Sequence, residues 1–181
     1  MLTLAQWTVA EYHQMIAAGL LDDRRVELLN GQVIEMAPEG PEHTYRGETL
    51  AEWLRDRLRG RAYVREARPI TLDDSEPEPD IAVVRGDRAD FFQRHPGPSD
   101  LFWVVEISQS TLKTDLTHKR DLYGRVGIPE YWVVDLVNRQ VVVFRKPEAG
   151  RYTDEETVRD RAIAPLAFPD FAIDVVQLFQ P

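Results

Sequence analysis

Gly47, Leu50, Leu54 and Leu58 recur at intervals of three and four, the spacing of a buried helical stripe. The pattern predicts a helix from Glu42 to Arg59, ended by Gly60 just past its last turn. His43 extends the stripe by one turn, so its ring faces the sheet, either as a core histidine bonded to a backbone carbonyl or as a polar group aimed at a site. A different pattern holds from Leu101 to Ile107, where both alternating sets, Phe102/Val104 and Leu101/Trp103/Val105/Ile107, are apolar. A strand covered on both faces belongs inside a sheet, yet this one carries Glu106 at its end. Asp80 to Arg85 is the strand before it, and a long polar loop, Gly86 to Asp100, joins the two and is placed to cover a site or partner. If these strands run antiparallel, Asp80 and Glu106 come together.

The rest of the chain is arranged around this middle. Thr8 and Glu11 form a Thr-x-x-Glu capping box, which starts a helix from Val9 to Ala18 that ends at Gly19. Arg25–Leu29 and Gln32–Met36 flank Asn30-Gly31, a two-residue hairpin signal, and Glu27 and Glu35 lie within that hairpin. After a turn at Pro38–Pro41 and the long helix, Ala62–Leu72 reads as a strand, with Pro69 marking an edge or bulge. Asp73–Pro79 is an acidic, proline-rich loop. Ser110–Val126 is a helix with its N-cap among Ser110, Thr111 and Thr114, stopped by Gly127 and Pro129. Glu130–Asp135 and Gln140–Lys146 form a second hairpin around Val137-Asn138. The strand–helix–strand unit from Leu101 to Asp135 should be parallel and right-handed. Tyr152–Pro181 reads as one or two more strands and a short terminal turn. One domain over 1–181 is expected, with an N-terminal helix and hairpin (1–40), a core (41–135), and a C-terminal hairpin with closing strands (136–181).

Composition narrows the chemistry. The 181 residues suffice for a core without staples, and with no cysteine any metal must sit on oxygen or imidazole ligands. Apolar runs such as Leu101–Val105 fall far short of the ~18 residues that span a bilayer. No basic stretch precedes an apolar one at the N-terminus, so no signal peptide and no membrane partner are expected, and the cytoplasm is the expected location. A net charge of −9 argues against nucleic-acid binding by bulk electrostatics. Arg55, Arg57, Arg59, Arg61, Arg65 and Arg68 run against that average, but interleaved Glu52, Asp56 and Glu66 make a solvated helix end the first reading.

Carboxylates at strand ends are common, but Asp80 and Glu106 sit together amid Ile81, Val83, Val104 and Val105. Unpaired charge there would cost several kcal/mol, so a cation or Lys119 should stand beside them. Carboxylate oxygens plus the main-chain carbonyl of Ile107 suit Mg²⁺ or Mn²⁺. Asp115, Lys119 and Tyr123 follow one another at intervals of four on one helical face. Two readings of Lys119 stay open: a helix ion pair with Asp115, or an ammonium aimed at Glu106, where it could stabilise charge on a reacting phosphate or orient water.

An ordered series runs through the chain: Glu27-Leu28-Leu29-Asn30-Gly31-Gln32-Val33-Ile34, His43, Pro79-Asp80 and Val104-Val105-Glu106-Ile107-Ser108. It continues with Ser110-Thr111, Asp115, Lys119, Tyr123, Gly127 and Glu130-Tyr131-Trp132-Val133-Val134-Asp135. This series resembles the Uma-two-like putative restriction endonuclease family over nearly the whole chain. The resemblance implies the PD-(D/E)XK nuclease superfamily: an α/β fold with a restriction-endonuclease-like mixed sheet flanked by helices, here extended by the N-terminal helix and hairpin. It also implies Mg²⁺-dependent phosphodiester hydrolysis. Asp80 matches the aspartate of the Pro-Asp motif and Glu106 the acidic residue of the next. Ser108 stands where the superfamily's usual lysine would be, and the family pattern places that lysine at Lys119. Glu27 and His43 match further polar positions, as accessory ligands or orienters. Gln109 departs from the pattern, since a proline commonly follows the serine.

The function expected is a Mg²⁺-dependent endonuclease acting on DNA, with Asp80 and Glu106 on the metal and Lys119 on the water or the transition state. The principal rival is an inactive nucleic-acid- or protein-binding module on the same fold, which the −9 charge favours. A glycosidase-type carboxylate pair is weaker, because Lys119 has no role in it. An active nuclease would concentrate basic surface locally, along Arg55–Arg68 or in the Arg85–Arg94 loop. A homodimer would suit cutting of two strands.

Overall fold

A computed structural model describes residues 3–180. Helix α1, Val9–Ala17, begins at the Thr8/Glu11 capping box, with Thr8 N donating to Glu11 Oε2 at 2.8 Å. Strands β1 (Val26–Leu29) and β2 (Gln32–Glu35) turn through Asn30 and Gly31 at φ 49° and 72°. Those left-handed values are what an Asn-Gly loop supplies to a twisted hairpin. Helix α2 spans Pro41–Arg57 and buries Gly47, Leu50, Ala51 and Leu54.

Six strands then build a mixed sheet: β3 Tyr63–Glu66, β4 Ile81–Val84, β5 Leu101–Ser108, β6 Glu130–Asp135, β7 Gln140–Glu148 and β8 Arg151–Val158. They lie in sequence order, with β5 and β6 parallel and the remaining neighbours antiparallel. The parallel pair is joined by helix α3 over 112–125, which contains a wider π turn at Asp115–Lys119. α3 ends in a Schellman motif: Ile128 N donates to Tyr123 O and Gly127 N to Gly124 O, with Gly127 at φ 78°.

The sheet has a core on each face. On one side Leu50 and Leu54 of α2 pack with Ile81, Val83, Trp103 and Val105. On the other, Leu122 and Tyr123 of α3 pack with Ala82, Val104, Tyr131 and Val133. Burial on both faces explains why β5 and β6 read as unbroken apolar runs. A two-stranded piece, β9 (Ala162–Ile163) with β10 (Ile173–Asp174), and a helical turn at Val175–Leu178 complete the chain.

Several boundaries differ from the sequence reading. The strand expected over Ala62–Leu72 stops at Glu66, because Ala67 takes φ 44° and leaves extended geometry. It is an edge strand, as Pro69 indicated. The C-terminal segment holds three strands and not one or two; two of them are only two residues long, too short for period-two alternation to mark. The Gly86–Asp100 loop is ordered by two 3₁₀ turns, Arg88–Phe91 and Pro98–Asp100. Thr111 occupies the N-cap of α3 without capping it, since its hydroxyl is spent on Asp115. No helix is long and apolar enough to cross a membrane among the described residues.

Candidate active site

Register brings the carboxylates together. Ile81 pairs with Val105 in the antiparallel β4/β5 ladder, so Asp80 falls opposite Glu106 one step on. Glu106 projects to the face that Ala82 and Val104 share, under α3, while Asp80, just before β4, turns to the end of β5 beside α2. Asp80 Oδ2 accepts the amide of Ile107 at 2.6 Å. Ser108 O accepts from Leu136 N on the β6 side, so Ile107 turns its backbone groups the other way, and its carbonyl faces the Asp80 edge.

Glu106 is 3% exposed, and its Oε1 accepts both Lys119 Nζ at 3.0 Å and Tyr123 OH at 2.9 Å. Lys119 also lies 3.4 Å from Glu27 Oε2, which accepts the Glu78 amide at 3.1 Å. Of the two readings of Lys119, the geometry therefore selects the one aimed at Glu106. Asp115 is engaged elsewhere: its Oδ2 accepts Ser108 Oγ and Thr111 Oγ1, each at 2.6 Å, and its carbonyl accepts Tyr131 OH at 3.2 Å. The Ser108–Thr111–Asp115 knot fixes the start of α3, and the π turn that follows carries Lys119 inward, a common device at functional sites.

His43 reaches the same point from α2. A Cβ at Gly47 would lie 4.0 Å from Ile107 Cγ1, so α2 crosses close to the end of β5, and His43 sits one turn nearer the helix start. Its Nε2 lies 3.3 Å from Asp80 Oδ2 and its Nδ1 3.6 Å from Glu39 Oε2. Its partners are thus carboxylates, not the backbone carbonyl of a core histidine. Burial lowers the imidazole pKa, but the hydrogen bond to Asp80 and the charges of Asp80, Glu39 and Asp115 outweigh it, and the net shift is upward.

Every candidate from the sequence is thus gathered here: Asp80, Glu106 and Lys119 at the centre, with Glu27, His43 and Tyr123 in direct contact with them and Ser108 and Asp115 supporting α3 from behind. Glu39 and Glu78 were missed; both line the same cavity of about 300 Å³, and Glu78 is pushed up by burial and by Glu27. The acidic, proline-rich run into Asp80 was the available signal for Glu78.

The cavity is acid-rich. Burial, together with Asp80, Asp115 and Glu27, drives Glu106 well above the usual carboxylate range despite Lys119. Burial works against the charged form of Lys119, yet Glu106, Glu27, Asp115 and Asp80 hold it above its ordinary value, so it remains an ammonium. Even counting His43 with Lys119, the carboxylates lining the cavity outnumber its basic groups. Among the described residues, no group of three or more His, Cys, Asp or Glu side chains is arranged to hold a metal. The donors offered are instead two carboxylates and the Ile107 carbonyl, and neither Asp80 Oδ1 nor Glu106 Oε2 has a hydrogen-bond partner among the described residues. That set fits Mg²⁺, which keeps several waters and takes one or two carboxylates.

Comparison with known proteins bears on the fold and the family. The profile of the Uma2 family, described as a putative restriction endonuclease, matches residues 9–176. The chain belongs to the Uma2 family. Among solved structures, a putative nuclease of Anabaena variabilis assigned to DUF820 superposes with a TM-score of 0.69 at 19% identity, covering 85% of this chain and 89% of that one. At that identity the likeness is one of fold. None of the curated proteins matches the chain. The α/β fold, with its mixed sheet flanked by helices, is accordingly that of the Uma2 nuclease-like proteins.

Proposed function

We propose that this Uma2-family protein is a Mg²⁺-dependent endonuclease that hydrolyses DNA phosphodiester bonds at the Asp80–Glu106 cavity. The observation that carries the reading is the pairing of Asp80 with Glu106 across β4/β5, with Lys119 held on Glu106. Family membership gives the nuclease class, and the acid-rich, oxygen-only donor set supports the metal. When bound, Mg²⁺ would lower the pKa of water and polarise the scissile phosphate.

The chain's own groups have separate tasks. Tyr123 and Lys119 occupy Glu106 Oε1 and fix that carboxylate with Oε2 turned to the cavity. The Ile107 amide and His43 fix Asp80 in the same way. Lys119 keeps its proton, so it donates a hydrogen bond to water or phosphate and neutralises developing charge; it does not act as a base.

The second reading, an inactive binding module on this fold, draws on the net charge of −9. Incubation of plasmid DNA with wild type and Asp80→Asn, with Mg²⁺ and with EDTA, separates the two. The nuclease reading expects Mg²⁺-dependent cutting by wild type alone. Absence of cutting by wild type in Mg²⁺ or Mn²⁺ would replace it with the binding module.

A further inference from the structure

The two basic stretches, Arg55–Arg68 and the loop after β4, are separate in sequence but line one groove. Arg55 from α2, Arg68 beyond β3 and Arg88 from the 3₁₀ turn after β4 flank a groove of about 620 Å³ along the free edge of β3. This groove shares Glu39, His43 and Asp80 with the candidate active-site cavity, so the two are continuous. Arg68 lies at the near end, because Ala67 N donates to Asp80 O at 3.0 Å. Arg88 follows β4 and lies toward the far end, where Tyr63 pairs with Val84.

The charges along the groove are not equally committed. Arg55 is neutralised by Glu66 at 2.6 Å, and Glu39 by Arg25 at 2.7 Å. Arg59 and Arg61, from the same basic run, turn away to Asp56 and Asp170. Arg68 and Arg88 are exposed, and no carboxylate pairs with either among the described residues. Of the acids on the lining, Glu48 alone has no basic partner among the described residues. In a chain of net charge −9 the lining is locally balanced, four arginines against four carboxylates. Arg65 is buried and donates to Pro69 O, and the two exposed, uncommitted arginines lead toward Asp80.

We infer that the groove along β3 is the path of one DNA strand, whose phosphates meet Arg68 and Arg88 and whose backbone is delivered to Asp80. The inference rests on the nuclease reading of the Asp80–Glu106 cavity. Four residues of β3 extend ~13 Å at ~3.3 Å each, which matches about four nucleotide steps at ~3.4 Å per strand. Arginine suits the task because its guanidinium grips phosphate bidentately and stays charged.

The test measures binding apart from cutting. A fluorescent DNA duplex is titrated in EDTA at several salt concentrations with wild type, with the Arg68→Ala/Arg88→Ala double variant, and with Arg159→Ala on an exposed turn after β8. Each lost phosphate contact removes ~0.9 from the slope of log affinity against log salt, so the double variant should be shallower by about 1.8. That difference is roughly tenfold in affinity between about 50 and about 200 mM salt. Arg159→Ala should bind like wild type. The groove is overturned if the double variant keeps the wild-type slope, if Arg159→Ala loses as much, or if wild type binds no DNA. Cutting in Mg²⁺ is read separately. Binding through the groove without cutting would sink the nuclease reading and keep the path, whereas cutting with an unchanged KM in the double variant would do the reverse.

Discussion

Two substitutions on either side of one buried contact should move stability in opposite directions. Lys119→Met removes the ammonium that lies 3.0 Å from Glu106 and 3.4 Å from Glu27, leaving two carboxylates that are both less than a tenth exposed. Taking one partner from a buried ion pair costs about 3–5 kcal/mol, because the remaining charge stays uncompensated. For a domain of this size that lowers the melting temperature by ~6–20 °C. Glu106→Gln differs: the amide oxygen can still accept from Lys119 and Tyr123, and Lys119 keeps Glu27 beside it. It also removes a charge that burial, Asp80, Asp115 and Glu27 disfavour. Every unit by which the folded pKa exceeds the unfolded one is about 1.4 kcal/mol that the charged carboxylate costs the fold, so Glu106→Gln should melt at or above wild type. The assay is thermal unfolding by circular dichroism in EDTA, at a pH where unfolded glutamate is ionised. If Glu106→Gln loses as much as Lys119→Met, the contact is a balanced pair, the cavity holds no excess negative charge, and the physical case for a cation there fails.

Three further outcomes are expected. Asp115→Ala should cost roughly 2 kcal/mol in urea unfolding, since the fully buried Ser108 hydroxyl loses its acceptor; an unchanged midpoint would remove the hydroxyl–carboxylate knot from the account. Mg²⁺ should raise the melting temperature of wild type by the equivalent of ~2.7 kcal/mol at a hundredfold excess over Kd, with no such rise in Asp80→Asn; equal protection of both would place the ion elsewhere. His95 is held below its usual value, first by burial and then by the charges of Arg65 and His13, with Glu76 opposing. The unfolded chain therefore takes up that proton first, and stability falls as pH drops through about 6.5 toward the lower folded value. The melting temperature of His95→Gln should fall less than that of wild type between about pH 8 and about pH 5, and identical slopes would refute the assignment.

Asp80 and Glu106 could be paired from the sequence because each sits at a strand end, and antiparallel order leaves them one place to meet. The Asn30-Gly31 turn was as plain, since its left-handed backbone restricts the residues that fit. Lys119 was not so legible. An interval of four from Asp115 is equally a surface ion pair, and only the π turn and the engagement of Asp115 by Ser108 and Thr111 turn the lysine onto Glu106. Glu39 and Glu78 were hidden because they lie outside regular strands, where no periodicity assigns a face. The strands after Tyr152 were undercounted for a related reason: tertiary pairing, not local alternation, makes the two-residue β9 and β10 strands.

The central claim is that an ammonium on α3 serves a reaction at the Asp80–Glu106 pair, and the rate of DNA cutting in a single turnover measures it most directly. Wild type and Lys119→Met are compared with Mg²⁺ and DNA both saturating, at a temperature where circular dichroism finds both folded. The account predicts Mg²⁺-dependent cutting that falls by ~10² or more in the variant, the usual cost of losing one preorganised donor to a reacting oxyanion. Cutting at the wild-type rate by Lys119→Met would contradict it, leaving Lys119 as a structural counter-ion of Glu106.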